Sequence, residues 1–185
     1  MNQTALNNLR LELSIKAKNG IDFILSASFI WFSIAWVWTL PTSSYNKSVL
    51  TFIVGGLMLP LALLLSRILK TDWKVKDNPL QPLGLWLNFA QLFYFPFLIF
   101  ILIKQPEYFV MTYAIITGAH FFPYAWFYNE KSYAILAGMI SIGSMLLGIL
   151  LSSRNMFYIP IYTGLALLIL SLWNGFSYRQ KKKKM

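Results

Sequence analysis

Long apolar stretches follow one another from Ile21 to Phe176, separated by short polar runs. Each stretch holds about 20 residues, enough at roughly 1.5 Å per helical residue to cross a hydrocarbon core of about 30 Å. Six spans are read, covering 21–40, 49–69, 83–103, 108–128, 132–151 and 156–176. The connections are short and rich in turn formers: Pro41 to Ser44, Asp77-Asn78-Pro79, Gln105-Pro106 and Ser152 to Asn155. None can hold a soluble domain. The expected fold is an all-α integral membrane protein, a bundle of six transmembrane helices forming one membrane domain over residues 1–185.

Ahead of the first span, Leu6, Leu9, Leu13 and Ala17 recur at helical spacing, and Glu12 precedes Lys16 by one turn. Residues 1–19 are therefore expected to form a short amphipathic helix on the cytoplasmic leaflet. The first span is longer than the apolar core of a signal peptide and carries Trp36 and Trp38 where a small-residue cleavage site would stand. It reads as an uncleaved helix. Residues 177–185 read as a basic cytoplasmic tail whose lysines, Lys181 to Lys184, hold the end inside and touch anionic lipid.

Charge orients the bundle. One side receives Arg10, Lys16 and Lys18, then Arg67, Lys70, Lys74 and Lys76, then Lys131, and finally Arg179 with Lys181, Lys182, Lys183 and Lys184. The other side receives Lys47, Lys104 and Arg154, completing the 16 basic residues of the sequence. Basic residues accumulate on the cytoplasmic side, so both termini are expected there. The net charge of +10 sits at span ends instead of on a soluble basic face, which argues against a nucleic-acid partner and for the lipid bilayer. Hydrophobic residues make up 57% of the 185 and charged residues 12%, about half the share in a soluble domain.

Little catalytic chemistry is available. With no cysteine and one histidine, the chain has no thiolate nucleophile and no typical metal-ligand set. Walker loops, dinucleotide fingerprints and Gly-x-Ser-x-Gly elbows are absent from the sequence, and no cofactor is implied. Of the six acidic residues, only Asp22 approaches the bilayer. No catalytic residue is assigned.

One layer of polar residues stands out. The third span carries Asn88 and Gln91 on one helix face, and the fourth carries the only histidine, His120. Counted from the cytoplasmic ends, they lie about 8, 12 and 12 Å deep. Asp22, Ser26 and Asn174 fall in the same half. Aromatic residues crowd round them, including Trp86, Tyr124 and Trp126. A pocket of aromatic walls with a few converging polar groups suits a small molecule. The alternative is interhelical glue, in which each hydrogen bond contributes on the order of 0.6–2 kcal/mol. The candidate ligand-binding set is His120, Asn88, Gln91, Tyr124, Trp86 and Trp126. Pro60, Pro96 and Pro123 interrupt spans and create either hinges or packing kinks. The fifth span aligns Ala137, Ser141, Ser144 and Gly148 on one face, allowing close approach of another helix from this chain or from a second copy in a homo-oligomer.

The region from Asn8 to Asn129 resembles an uncharacterised family of small multi-pass bacterial membrane proteins, above all in the stretch from Asp77 to Gln91 and in Gly118-Ala-His-Phe-Phe-Pro-Tyr-Ala-Trp126. The resemblance implies a bacterial plasma membrane and a stand-alone helical bundle, and no activity. Three functions stay open: binding or transport of a small apolar or aromatic solute, an enzyme on a lipid-like substrate using His120, and an accessory or assembly subunit.

Overall fold

The computed structural model describes residues 2–183, and their regular structure is entirely helical. The segments are α1 (Gln3–Lys16), α2 (Ile21–Thr39), α3 (Ser44–Gly56), α4 (Met58–Leu69), α5 (Gln81–Leu92), α6 (Phe95–Lys104), α7 (Phe109–Phe127), α8 (Lys131–Leu150) and α9 (Tyr158–Lys183). Two pairs are single rods with a break: α3 yields to α4 at Leu57, and α5 to α6 at Phe93 and Tyr94. Proline explains both places. Pro60 falls in the first turn of α4 and Pro96 in the first turn of α6, where a helix needs no internal amide donor. Pro123 stays inside a continuous α7.

Five helical stretches are long and apolar enough to cross a membrane: Lys18–Thr39, Ser44–Leu69, Gln81–Lys104, Lys131–Leu150 and Ser153–Lys183. The stretch expected as the fourth of six spans is helical, as α7, but it is less apolar than these and is not among the five. Thr112, Thr117, His120 and three tyrosines or prolines between Tyr113 and Tyr124 dilute it. α7 is central to the bundle. It pairs with α8 as an antiparallel hairpin, α8 packs on α9, and α9 packs along α2. The core between them contains Trp31, Phe109, Tyr133, Leu136, Ile140, Leu167 and Leu170.

The α7–α8 contact depends on small residues. A Cβ at Gly118 would stand 2.9 Å from the backbone nitrogen of Ser141, so no side chain larger than hydrogen fits. Ser141 Oγ donates to the Ile115 carbonyl at 3.2 Å, and Gly148 lies against Met111. The face formed by Ala137, Ser141, Ser144 and Gly148 is thus turned toward α7 of the same chain.

The remaining two rods are peripheral. Of the most apolar window in Ser44–Leu69, 17% is buried, and in Gln81–Lys104 only 6%. The latter is held at Leu98, which is fully buried, and at Phe95, whose ring meets Phe52 at 5.9 Å. Both rods present broad apolar faces outward, among them Ile53, Leu59, Phe93 and Phe97.

The N-terminal segment is helical as expected, but its buried side meets protein. Arg10, Leu13 and Ser14 are covered by the end of the bundle. Nor is the C-terminal segment a loose tail: α9 runs on to Lys183, and Lys181 is drawn into the structure. Lys184 lies outside the described residues.

Candidate functional site

The seam between α5 and α7 contains most of the residues singled out above. Along α5 the half-buried positions Gly84, Leu87 and Gln91 form an inward stripe that continues in α6 to Phe95 and buried Leu98, with steps of three and four residues. Gln91 lies on this stripe. Asn88 stands at its exposed edge and donates from Nδ2 to the Gly84 carbonyl at 3.0 Å. The same carbonyl lies 3.4 Å from the Tyr124 hydroxyl of α7. Tyr124 is buried, and the His120 ring meets it edge-on with centroids 5.4 Å apart.

This contact fixes a register. α5 and α6 run one way, and α7 returns after the single turn Pro106–Tyr108. Asn88 is four residues beyond Gly84, and His120 is four residues before Tyr124. On antiparallel helices both steps lead in the same direction by about 6 Å, so Asn88 and His120 are level. Gln91 is likewise level with Thr117. The layer expected from depth alone is therefore consistent with the α5–α7 packing, but it lies at a half-open seam and not in an enclosed chamber. His120 is half-buried and Asn88 exposed. Two concavities lie elsewhere, at the ends of the bundle.

Hydrogen-bonding capacity is left over at this seam. Among the described residues, His120 is surrounded by the rings of Phe121 and Tyr124 without a hydrogen-bond partner, while Asn88 Oδ1 and the Gln91 amide are also unpaired. A neutral imidazole can donate from one nitrogen and accept at the other, so the seam can present a donor and several acceptors against an aromatic wall. Two of the expected residues do not join it. Trp86 points away from the stripe, is 68% exposed and meets the ring of Phe89 edge-on. Trp126 serves to dock α1: Arg10 Nε donates to its carbonyl at 2.5 Å, and the guanidinium stands 4.9 Å from its ring centroid.

A second polar cluster is larger and lies at the end of the bundle where the basic residues gather. Lys181 Nζ is surrounded by the Ser14 hydroxyl at 2.8 Å, the Tyr128 carbonyl at 3.0 Å, Asn19 Oδ1 at 3.3 Å and Glu130 Oε2 at 3.0 Å. Asn19 is fully buried in the left-handed region at φ 56°, followed by Gly20 at φ 70°. Its amide donates to the Asn174 carbonyl, and its own carbonyl accepts from Tyr133 at 2.6 Å. Asp22, in the first turn of α2, accepts from Thr71 and from the Trp73 indole, both at 2.6 Å. Asn78 Nδ2 donates to the Leu9 carbonyl and to Glu12. Every connection at this end is thereby tied to another.

Sequence reading missed the tie at Lys181, because a lysine run reads as solvated charge. The available signal was Asn19-Gly20 directly before a span, a turn dipeptide where a helix would otherwise run straight into the membrane segment.

Fold and site together define an all-helical protein with several apolar helices compatible with a multi-pass membrane protein. A family model described as a family of unknown function (DUF7010) matches residues 6–176, and the chain belongs to that family. No curated protein and no solved structure matches it.

Proposed function

We propose that this is a bacterial plasma-membrane protein with six transmembrane helices and both termini in the cytoplasm, which binds or carries a small apolar or aromatic molecule at the α5–α7 seam. Support for the topology comes from the charge asymmetry, from five membrane-length apolar helices and from the central place of α7 between them. The observation that carries the ligand reading is the level pairing of Asn88 with His120 beside Tyr124, with polar atoms left unpaired. Lipid supplies no hydrogen-bond partners, so polar groups at membrane depth serve a partner, water or a solute. A molecule with an apolar body and one or two polar atoms meets these groups by entering sideways from the bilayer.

Cysteine placed at Ser43 labels from outside intact cells and cysteine at Lys74 does not; the opposite pattern overturns the orientation. In purified protein, His120→Ala abolishes saturable binding of an aromatic solute while the helix content and membrane insertion stay at wild-type levels. Unchanged binding rules out the seam.

A second reading has its own support. The low coverage of Gln81–Lys104 suits an accessory subunit whose α5–α6 rod receives a partner helix. That reading requires a stoichiometric polypeptide to co-purify through this face, and to be lost when Leu92 and Phe93 are changed to polar residues.

A further inference from the structure

At the end of the bundle opposite the polar cluster, a concavity of about 700 Å³ opens between the α2–α3 connection and the turn before α9. Trp38, Thr39, Ser43, Lys47, Arg154 and Phe157 are among its walls. Its size lies within the usual range for small-molecule sites, roughly 300–1,000 Å³.

Charge makes this cavity unusual. Only Lys47, Lys104 and Arg154 are basic on this side: Lys47 in the first turn of α3, Lys104 at the end of α6 and Arg154 in the turn before α9. Two of the three converge on one concavity, and no acidic residue lines it. The ion pairs among the described residues are Lys16 with Glu12 and Lys181 with Glu130, so neither Lys47 nor Arg154 is neutralised by a carboxylate. Lys47 Nζ donates to the Trp38 carbonyl at 3.0 Å, which steadies the ammonium at the cavity wall and leaves two of its protons free. Arg154 keeps its whole planar fork available, the geometry that matches a carboxylate or phosphate. Ser43 already caps the Asn46 amide, so the side-chain cations and not the helix end supply the attraction.

We infer that this cavity binds an organic anion, a carboxylate or phosphate attached to an apolar body, with Arg154 and Lys47 on the charged group and Leu40 and Phe157 against the apolar part. The concave wall focuses the field of two like charges, which strengthens attraction for an anion relative to an open surface. The inference is independent of the α5–α7 seam. In the orientation proposed above the cavity faces outward, where the anion is either a soluble solute or the head group of an anionic lipid in the outer leaflet.

The full chain in phosphatidylcholine nanodiscs is titrated calorimetrically with benzoate and with inorganic phosphate, and its melting is compared in nanodiscs containing phosphatidylglycerol. Binding of benzoate or phosphate identifies a solute site; stabilisation by phosphatidylglycerol alone identifies a head-group site. In either case Arg154→Gln weakens the effect roughly tenfold, the loss expected from a charge-assisted hydrogen bond. Arg154 is exposed, so this variant keeps the melting temperature of the anion-free protein. Lys104→Gln, on the same side but outside the cavity, leaves binding unchanged. The inference is overturned if no anion acts, if Arg154→Gln responds like the wild type, or if Lys104→Gln loses as much.

Discussion

Two polar regions of this molecule differ in how far their hydrogen bonds are satisfied. Around Lys181 one ammonium meets a carboxylate, a hydroxyl, an amide oxygen and a backbone carbonyl within 3.3 Å. Around His120 the neighbours are rings, and the adjacent Asn88 spends one donor on its own helix. Saturated groups hold a structure in one arrangement; unsaturated groups at a half-open seam keep capacity for something else. The Lys181 cluster is accordingly a structural lock that joins α1, the connection after α7, and α9. The His120 seam is where the ligand site proposed above would lie.

The largest effect is expected from opening the lock. Lys181→Met leaves the nearly buried Glu130 carboxylate without its cation, and breaking such a pair typically costs about 3–5 kcal/mol. Unfolding of the purified protein by a denaturing detergent measures this. Adding Glu130→Gln should recover much of the loss, since no uncompensated charge then stays behind. A Lys181→Met variant as stable as the wild type would show that the cluster is incidental.

Next comes the contact that carries both regions, the α7–α8 hairpin. Gly118→Val drives its side chain into the Ser141 backbone, which cannot retreat as a flexible side chain would. Overpacking of this kind costs about 1–3 kcal/mol. Because Gly118 is two residues from His120, the variant should also reduce ligand binding, in contrast to Lys181→Met paired with Glu130→Gln. The same unfolding assay and a binding assay separate the two.

The smallest effect concerns α1. Hydrogen bonds from Lys16 and then from Asn78 hold the Glu12 carboxyl below its ordinary value. A lowered value in the folded state contributes stability at pH above the ordinary carboxylate range, and that contribution is lost as pH falls through the folded value. Docking of α1 should weaken on acidification, seen as faster amide exchange over Leu6 to Leu13. Glu12→Gln should remove that pH dependence. The pair is exposed enough for salt to reduce the effect further.

What was legible in the sequence follows the range of each force. Apolar runs are local, so the helical stretches could be read directly. The breaks at Leu57 and at Phe93–Tyr94 were foreshadowed by Pro60 and Pro96. The layer containing Asn88 and His120 was reachable because depth is a count along a helix. Facing is different. Whether Asn88 turns inward depends on where the neighbouring rods stop, and α5 proves too peripheral to bury it. For the role of Lys181 the sequence offered only the Asn19-Gly20 turn before the first span. Its partners Ser14, Asn19, Tyr128 and Glu130 are brought together by the fold from separate parts of the chain. Nothing in a run of lysines marks the one that turns inward.

The most direct test of the contrast between lock and seam is native mass spectrometry of the protein extracted with its surrounding lipid. Wild-type protein should retain a small molecule or lipid of defined mass that is absent from His120→Ala and reduced in Asn88→Ala, while both variants unfold within about 1 kcal/mol of wild type, the limit expected when no strong structural bond is lost. The same bound species in all three proteins, or a His120→Ala variant destabilised by several times that amount, would contradict the account and make His120 part of the scaffold.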